Sequence, residues 1–286
     1  MARQSKCRCV TNITINPEAT REFCNMQIAG YVAALFIGIS LGLIGGGGSI
    51  LTVPVLVYLF GISPVLATSY SLFVVGSTSL IGSFNSLRKG MVDLQTVLLF
   101  GLTSIITVFI TRITIIPRIP ENIHAGNMTL RFSAIIMVLF AVLMLLASMS
   151  MIRSKQTAAH GEEARTKSGK LILYGISIGL VTGFLGAGGG FLLIPALVLL
   201  LHLPMKKAIG TSLFIIALNS LAGFIGDTGH FKANWIFLLT ISAIAIAGVF
   251  IGSAVGKSVS GFKLRKAFGW FVLAMGIYII IKEVWL

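Results

Sequence analysis

Apolar residues run in long blocks, at about 27–60, 64–87, 92–111, 130–151, 171–203, 206–226, 233–256 and 265–282, and polar residues collect in the gaps. Between Glu22 and Arg88 there is no Asp, Glu, Lys or Arg, whereas one helical crossing takes only about 20 residues. That stretch must therefore enter a bilayer more than once. The blocks fall into two groups of four, separated by residues 152–170, the most polar stretch after the tail. The pattern predicts an all-α membrane protein of about eight transmembrane elements. Its parts are a polar tail (1–26), a first transmembrane unit (27–151), a linker (152–170) and a second unit (171–286).

The second group repeats the first. Shifted by 141 without a gap, Gly38 meets Gly179, Gly42 meets Gly183, Gly45 meets Gly186, Gly47 meets Gly188, Gly48 meets Gly189 and Pro54 meets Pro195. Further along, Ala67 meets Ala208, Ser71-Leu72-Phe73 meets Ser212-Leu213-Phe214, and Gly82 meets Gly223. Aligned glycines and prolines in one register are hard to obtain from a small apolar alphabet by chance. The last helices match only weakly, Leu130-Arg131 against Leu264-Arg265, at a shift that leaves extra residues in the third connection of the first half.

The first block of each half is too long for one crossing and too short for two. As continuous helix, residues 27–60 would measure about 50 Å against a hydrocarbon core of about 30 Å. Glycine costs about 1 kcal/mol relative to alanine in a helix, and proline donates no backbone hydrogen bond. GGGGSILTVP at 45–54 and GAGGGFLLIP at 186–195 therefore predict helices broken at 45–48 and 186–190, or re-entrant hairpins. Unwound backbone in a membrane must face protein or a water-filled cavity, so each break predicts a cavity. The half-helices starting near Ser49 and Phe191 would aim free N–H groups and a positive dipole end at it, which suits an anion. Paired broken helices in duplicated units point to a transporter whose site lies between them. Gly38/Gly42 and Gly179/Gly183, spaced by four, read instead as helix-packing faces. Crossing in full would leave the two units parallel, and re-entrant hairpins would invert them. The pattern permits both, and Lys and Arg are spread too evenly to orient the chain.

Hydroxyls and amides are concentrated in the second block of each half. Ser71 and Ser212 hold matching positions and could line the cavity, with Asn219 and Asn85 as further polar groups on the same blocks. The candidate binding set is Gly45, Gly46, Gly47, Gly48, Ser49 and Ser71 in the first half, and Gly186, Gly188, Gly189, Gly190, Ser212 and Asn219 in the second. Asp93 and Asp227 stand at predicted helix ends beside Arg88-Lys89 and His230/Lys232, where interfacial ion pairs are expected in preference to proton carriers. The scarcity of buried carboxylates turns the expectation from a cationic to an anionic substrate.

Composition narrows the classes further. The chain has 286 residues, 56% hydrophobic and 10% charged, where soluble domains carry about 25% charge. Its net charge of +14 is scattered in small groups between apolar blocks, which argues for membrane flanks and against nucleic acid. The first apolar block is too long for a cleavable signal. Cys7, Cys9 and Cys24 all lie in the tail, without a metal-site spacing. Zincin, hydrolase and P-loop motifs do not occur, so neither catalysis, a cofactor nor a metal is expected. The partners expected are the bilayer and a small anion, with room for a homo-oligomer.

The glycine-rich break running to a proline, as Gly45 to Pro54 and Gly186 to Pro195, with Ala-x-x-x-Ser-Leu-Phe following at Ala67–Phe73 and Ala208–Phe214, resembles the TauE/SafE family of sulfite exporter-like permeases. The resemblance covers about residues 30–283. It implies a multi-pass secondary transporter of the bacterial cytoplasmic membrane, linked to export of sulfite, sulfoacetate and related sulfur anions. A compact head of oxygens suits converging half-helix N-termini, but a carboxylate, sulfate or thiosulfate would satisfy the same donors.

Overall fold

The computed structural model describes residues 17–153 and 168–285, apart from 47, 89, 120, 121, 126, 127, 187, 200–202, 204, 230, 232 and 256–260. The first half comprises α1 (Pro17–Ile44), α2 (Ser49–Tyr58), α3 (Pro64–Arg88), α4 (Leu94–Thr96), α5 (Leu102–Ile110) and α6 (Phe132–Arg153). Two π-helical turns, Val97–Gly101 and Thr111–Ile115, and a closing 3-10 turn join α4 and α5 into one rod over Leu94–Arg118. A two-stranded antiparallel ribbon, β1 (Asn122–Ala125) and β2 (Met128–Arg131), precedes α6. The second half comprises α7 (Ser168–Leu185), α8 (Gly190–Leu199), α9 (Met205–Asp227), α10 (Trp235–Val255) and α11 (Gly261–Trp285). Pro64–Arg88, Leu94–Arg118, Lys207–Asp227 and Trp235–Val255 are each long and apolar enough to cross a membrane, and shorter apolar helices accompany them. Their outward faces suit lipid: Ile236 is 82% exposed and Leu98 65%.

Both glycine runs interrupt helix. Gly45 stands at φ +83°, and Gly186, Gly188 and Gly189 at +65°, +64° and +67°, a left-handed region that a Cβ disfavours. The chain then doubles back. Gly48 lies against Ile37 and Leu41 of α1, and farther along Phe60 packs on Gly30 and edge-on to Tyr31, with ring centroids 5.4 Å apart. Thus α1 and α2 form an antiparallel hairpin. At the second tip Gly189 touches Thr182, seven residues upstream, as Gly48 touches Leu41. Pro54 does not take part in the break. It sits inside α2, past the first turn, where its missing donor forgoes the bond to the Ile50 carbonyl.

Contacts between helices give their directions. Gly38 meets Ala245 and Gly42 meets Val249, so α1 and α10 run parallel, backbone against backbone; Gly248 and Gly252 on α10 return the contact to Leu35 and Ile39. Likewise Gly175 meets Thr103 and Gly183 meets Thr111, so α7 runs parallel to the Leu94–Arg118 rod. By contrast α3 and α9 are antiparallel, with Gly223 on Leu72, Gly76 on Leu221 and Gly82 on Leu213. The helix following each hairpin therefore runs in opposite senses in the two groups. The first leg of each hairpin packs on a helix of the other half, the second legs α2 and α8 pack chiefly on α3 and α9 of their own, and α6 packs on α11.

Caps and connections refine the boundaries. Asp93 accepts from the Thr96 amide at 3.2 Å and caps the rod, and Asn234 accepts from the Phe237 amide at 3.2 Å and caps α10. The backbone amide of Asp93 donates to Thr211 Oγ1 and that of Asn234 to the Tyr70 hydroxyl; these two pairs of positions are also 141 apart. The ribbon explains the weak match of the final helices. Leu130 and Arg131 lie in β2, whereas Leu264 and Arg265 lie within α11. Helix α1 begins at Pro17, inside the predicted tail. Residues 1–16 with Cys7 and Cys9, and most of the linker, lie outside the described residues.

Candidate functional site

The two hairpin tips meet. A Cβ on Gly46 would sit 2.9 Å from the Gly190 carbonyl oxygen, and one on Gly190 would sit 2.5 Å from the Gly46 carbonyl oxygen and 2.7 Å from Ser49 Oγ. Only glycine permits this approach of two backbones. Ser49 Oγ donates to the Gly46 carbonyl at 2.9 Å, closing the first tip. Gly45 N–H donates to Leu41 O at 2.8 Å and Gly186 N–H to Thr182 O at 3.0 Å, ending each incoming helix alike. In the first turns Leu51 N–H donates to Gly48 O at 3.2 Å and Leu192 N–H to Gly189 O at 3.0 Å, and the amides before them precede any intrahelical acceptor, so two positive helix ends converge on one locus. Gly47 lies outside the described residues.

In this conformation the tips are packed rather than open. Gly45 rests on Ile209, Gly46 on Ile194 and Gly190, Gly186 on Thr68 and Arg112, and Gly188 on Ser220 and Val75. A small apolar cavity is lined among others by Ala34, Ile37, Thr52, Leu56, Val74 and Ile241. Among the described residues, the glycine backbones of the two tips are in direct contact.

The predicted side chains divide. Ser71 is fully buried and its Oγ has no partner. Ser212 is equally buried, but its hydroxyl donates to Ile209 O at 2.9 Å within its own helix. Asn219 donates from Nδ2 to Ser104 Oγ at 2.8 Å, and its Oδ1 is unpartnered. Asn85 lies on α3, with its side chain outside the description. Ser220 Oγ and Thr182 Oγ1, absent from the sequence-based set, are buried without partners and abut Gly188 and Gly189 respectively.

Among the described residues both aspartates have other partners, and Lys89, His230 and Lys232 lie outside the description. Asp93 binds the Thr96 amide and hydroxyl as a helix cap, while Arg88 stacks on the Phe84 ring, 4.3 Å from its centroid. Asp227 turns inward. Its Oδ2 accepts from Arg112 Nη1 at 2.7 Å and from Ser69 Oγ at 2.5 Å, and Arg112 Nη1 also donates to Thr68 Oγ1 at 3.2 Å. Arg112 is 1% exposed and Asp227 5%. This ion pair ties the end of α9 to the start of α3 and to the π-helical turn Thr111–Ile115, and Arg112 Nη2 faces Gly186. Such π turns are frequent at functional sites.

Sequence reasoning missed Arg112 because the apolar block seemed to end at residue 111, leaving the arginine as a flanking charge. The available signal was that apolar residues resume beyond it at Ile113, Ile115 and Ile116. A lone charge inside such a run belongs within the bundle.

The family model "Sulfite exporter TauE/SafE" matches residues 31–279. A "Probable membrane transporter protein" of Xylella fastidiosa (strain 9a5c) is 30% identical over 250 residues, covering 85% of this chain and 91% of the relative. The Bacillus subtilis "Probable membrane transporter protein YunE" is 29% identical over 250 residues, covering 79% and 87%. A similarly named protein of Methanocaldococcus jannaschii is 25% identical over 245 residues, covering 82% and 85%. No solved structure matches the chain significantly. The chain belongs to the TauE/SafE family of membrane transporters.

Proposed function

From this membership we propose that the chain is a secondary transporter of a small sulfur-containing oxyanion, such as sulfite, sulfoacetate or another organosulfonate. It exports that anion across the bacterial cytoplasmic membrane by alternating access between two homologous repeats, residues 27–151 and 171–286. The observation that carries this reading is the meeting of the two hairpin tips at Gly46 and Gly190. Two half-helix N-termini brought to one place supply backbone donors for negative charge, and Ser71 and Asn219, buried with an unpartnered oxygen each, are the side-chain candidates on the helices that follow. The opposed directions of α3 and α9 support inverted repeats, and such repeats give alternating access a simple origin. When one unit rocks against the other, the site faces one side and then the other.

The packed tips fit a closed state of that cycle, in which the glycine backbones fill the space an anion would take. Opening either hairpin uncovers the first-turn amides of α2 or α8. Sulfite flux in proteoliposomes tests the reading. It should saturate with concentration and rise when sulfite is supplied on the opposite face, and Gly188→Leu should abolish it while leaving membrane insertion intact. A linear, unsaturable flux would mean a channel. Saturable flux of carboxylates or thiosulfate in preference to sulfite would keep the mechanism and change the substrate.

A further inference from the structure

We propose that the Nε/Nη2 edge of Arg112 seats the oxyanion, so that the binding chemistry lies at the second hairpin tip and is not shared evenly between the two. The inference rests on the oxyanion-transport reading above and names its principal side chain. A guanidinium carries two parallel N–H groups along this edge, spaced to grip two oxygens on one carbon or sulfur atom. In Arg112 both protein hydrogen bonds are made by Nη1, to Asp227 and Thr68. Nε and Nη2 are buried and have no partner. Nη2 lies 2.5 Å from where a Cβ on Gly186 would stand, so the open edge borders the tip that leads into α8.

Stability does not account for this arrangement. A buried ion pair is commonly no better than apolar residues of the same volume, and an unmet buried donor on a charged group adds a further penalty. An acceptor that comes and goes removes that penalty whenever it is bound. Asp227, held by Ser69, fixes Nη1 and thereby turns the other edge toward the tip. It is a positioning residue.

The asymmetry between the halves points the same way. Thr68, Thr182 and Arg112 lie against the second tip, with Asp227 bound to the arginine, whereas the positions 141 residues from Thr68, Thr182, Arg112 and Asp227 are Ile209, Leu41, Ser253 and Ser86. At the first tip, Gly45 correspondingly meets Ile209 and Gly48 meets Leu41. The unpartnered hydroxyls of Ser220 and Thr182, which abut Gly188 and Gly189, add donors on the side of Arg112. The ligand class is an anion with at least two oxygens on one central atom.

Calorimetric binding to the full-length protein in nanodiscs tests the proposal, with sulfite, sulfoacetate, acetate and chloride as probes. Arg112→Lys keeps the charge but loses the paired edge, and should weaken sulfite binding on the order of tenfold or more while changing chloride binding little. Asp227→Asn leaves the arginine but slackens the hold on Nη1, and should weaken sulfite binding severalfold while changing chloride binding little. The double variant R112Q/D227N removes both charges together and should remain monodisperse without saturable oxyanion binding. It carries the test should Arg112→Lys aggregate. Sulfite binding of ordinary affinity in the double variant, or an unchanged sulfite-to-chloride ratio in Arg112→Lys, overturns the assignment and leaves the transport reading standing. If the unaltered protein binds none of the oxyanions, the transport reading fails and this one with it. Acetate bound as well as sulfite keeps Arg112 as the seat and makes its ligand a general carboxylate or sulfur oxyanion.

Discussion

A methyl group on Gly190 separates the contact between the tips from every other property of the glycine runs. Its Cβ would lie 2.5 Å from the Gly46 carbonyl oxygen, 2.7 Å from Ser49 Oγ and 3.0 Å from Ile216 Cδ1, where ordinary contact begins near 3.4 Å. The nearest of these is backbone, which cannot rotate aside, so the tips must part by close to an ångström. Gly190 is not among the glycines at positive φ, so the effect is steric alone. Overpacking of this kind costs about 1–3 kcal/mol. If the cost falls only on the state in which the tips touch, the balance of conformers moves by about 5–150-fold. Gly190→Ala should therefore change the initial rate of sulfite efflux from proteoliposomes at least fivefold. It should also lower the melting temperature in detergent by about 2–4 °C for each kcal/mol. Gly169→Ala is the matched control, since nothing stands within 4 Å of a Cβ there, and it should leave transport unchanged. Equal behaviour of the two variants would refute the reasoning, because the tips would then have room to spare.

Three further outcomes follow from the packing. Arg112→Gln alone strands Asp227 in the interior and should destabilise the protein by about 3–5 kcal/mol, whereas R112Q/D227N should recover much of that loss in thermal unfolding. Gly38→Ala places a methyl on the Ala245 carbonyl in the seam between α1 and α10; it should cost about 1–3 kcal/mol by the same assay. Asp93→Ala should cost about 0.5–2 kcal/mol through loss of the cap, and Asp93→Asn almost nothing, since Asn234 caps α10 in the same way.

The glycine runs were legible as breaks because their physics is local. Left-handed backbone at Gly45, Gly186, Gly188 and Gly189 follows from residue type, as does the rejection of water by long apolar blocks. Spacing also identified Gly38, Gly42, Gly179 and Gly183 as packing positions, and each lies against a helix of the opposite half. What surrounds the tips was not legible. The pairing of Asp227 with Arg112 spans 115 positions in the chain, and no local pattern carries such a contact. An aspartate at a helix end reads the same whether it faces headgroups or a buried guanidinium. Likewise Ser71 and Ser212 hold equivalent places in the sequence, yet one hydroxyl is unpartnered and the other bonds its own helix.

By itself, then, the sequence determined that the chain lives in a membrane, that two of its helices break at glycine, and that its halves share a pattern, because burial, backbone freedom and repetition act on neighbouring residues. That the broken elements turn back as hairpins, that their tips touch, and that Arg112 comes to lie at the second tip emerges only in the folded bundle. Those outcomes depend on which distant helices come to lie side by side, and that is settled by the packing of the whole bundle.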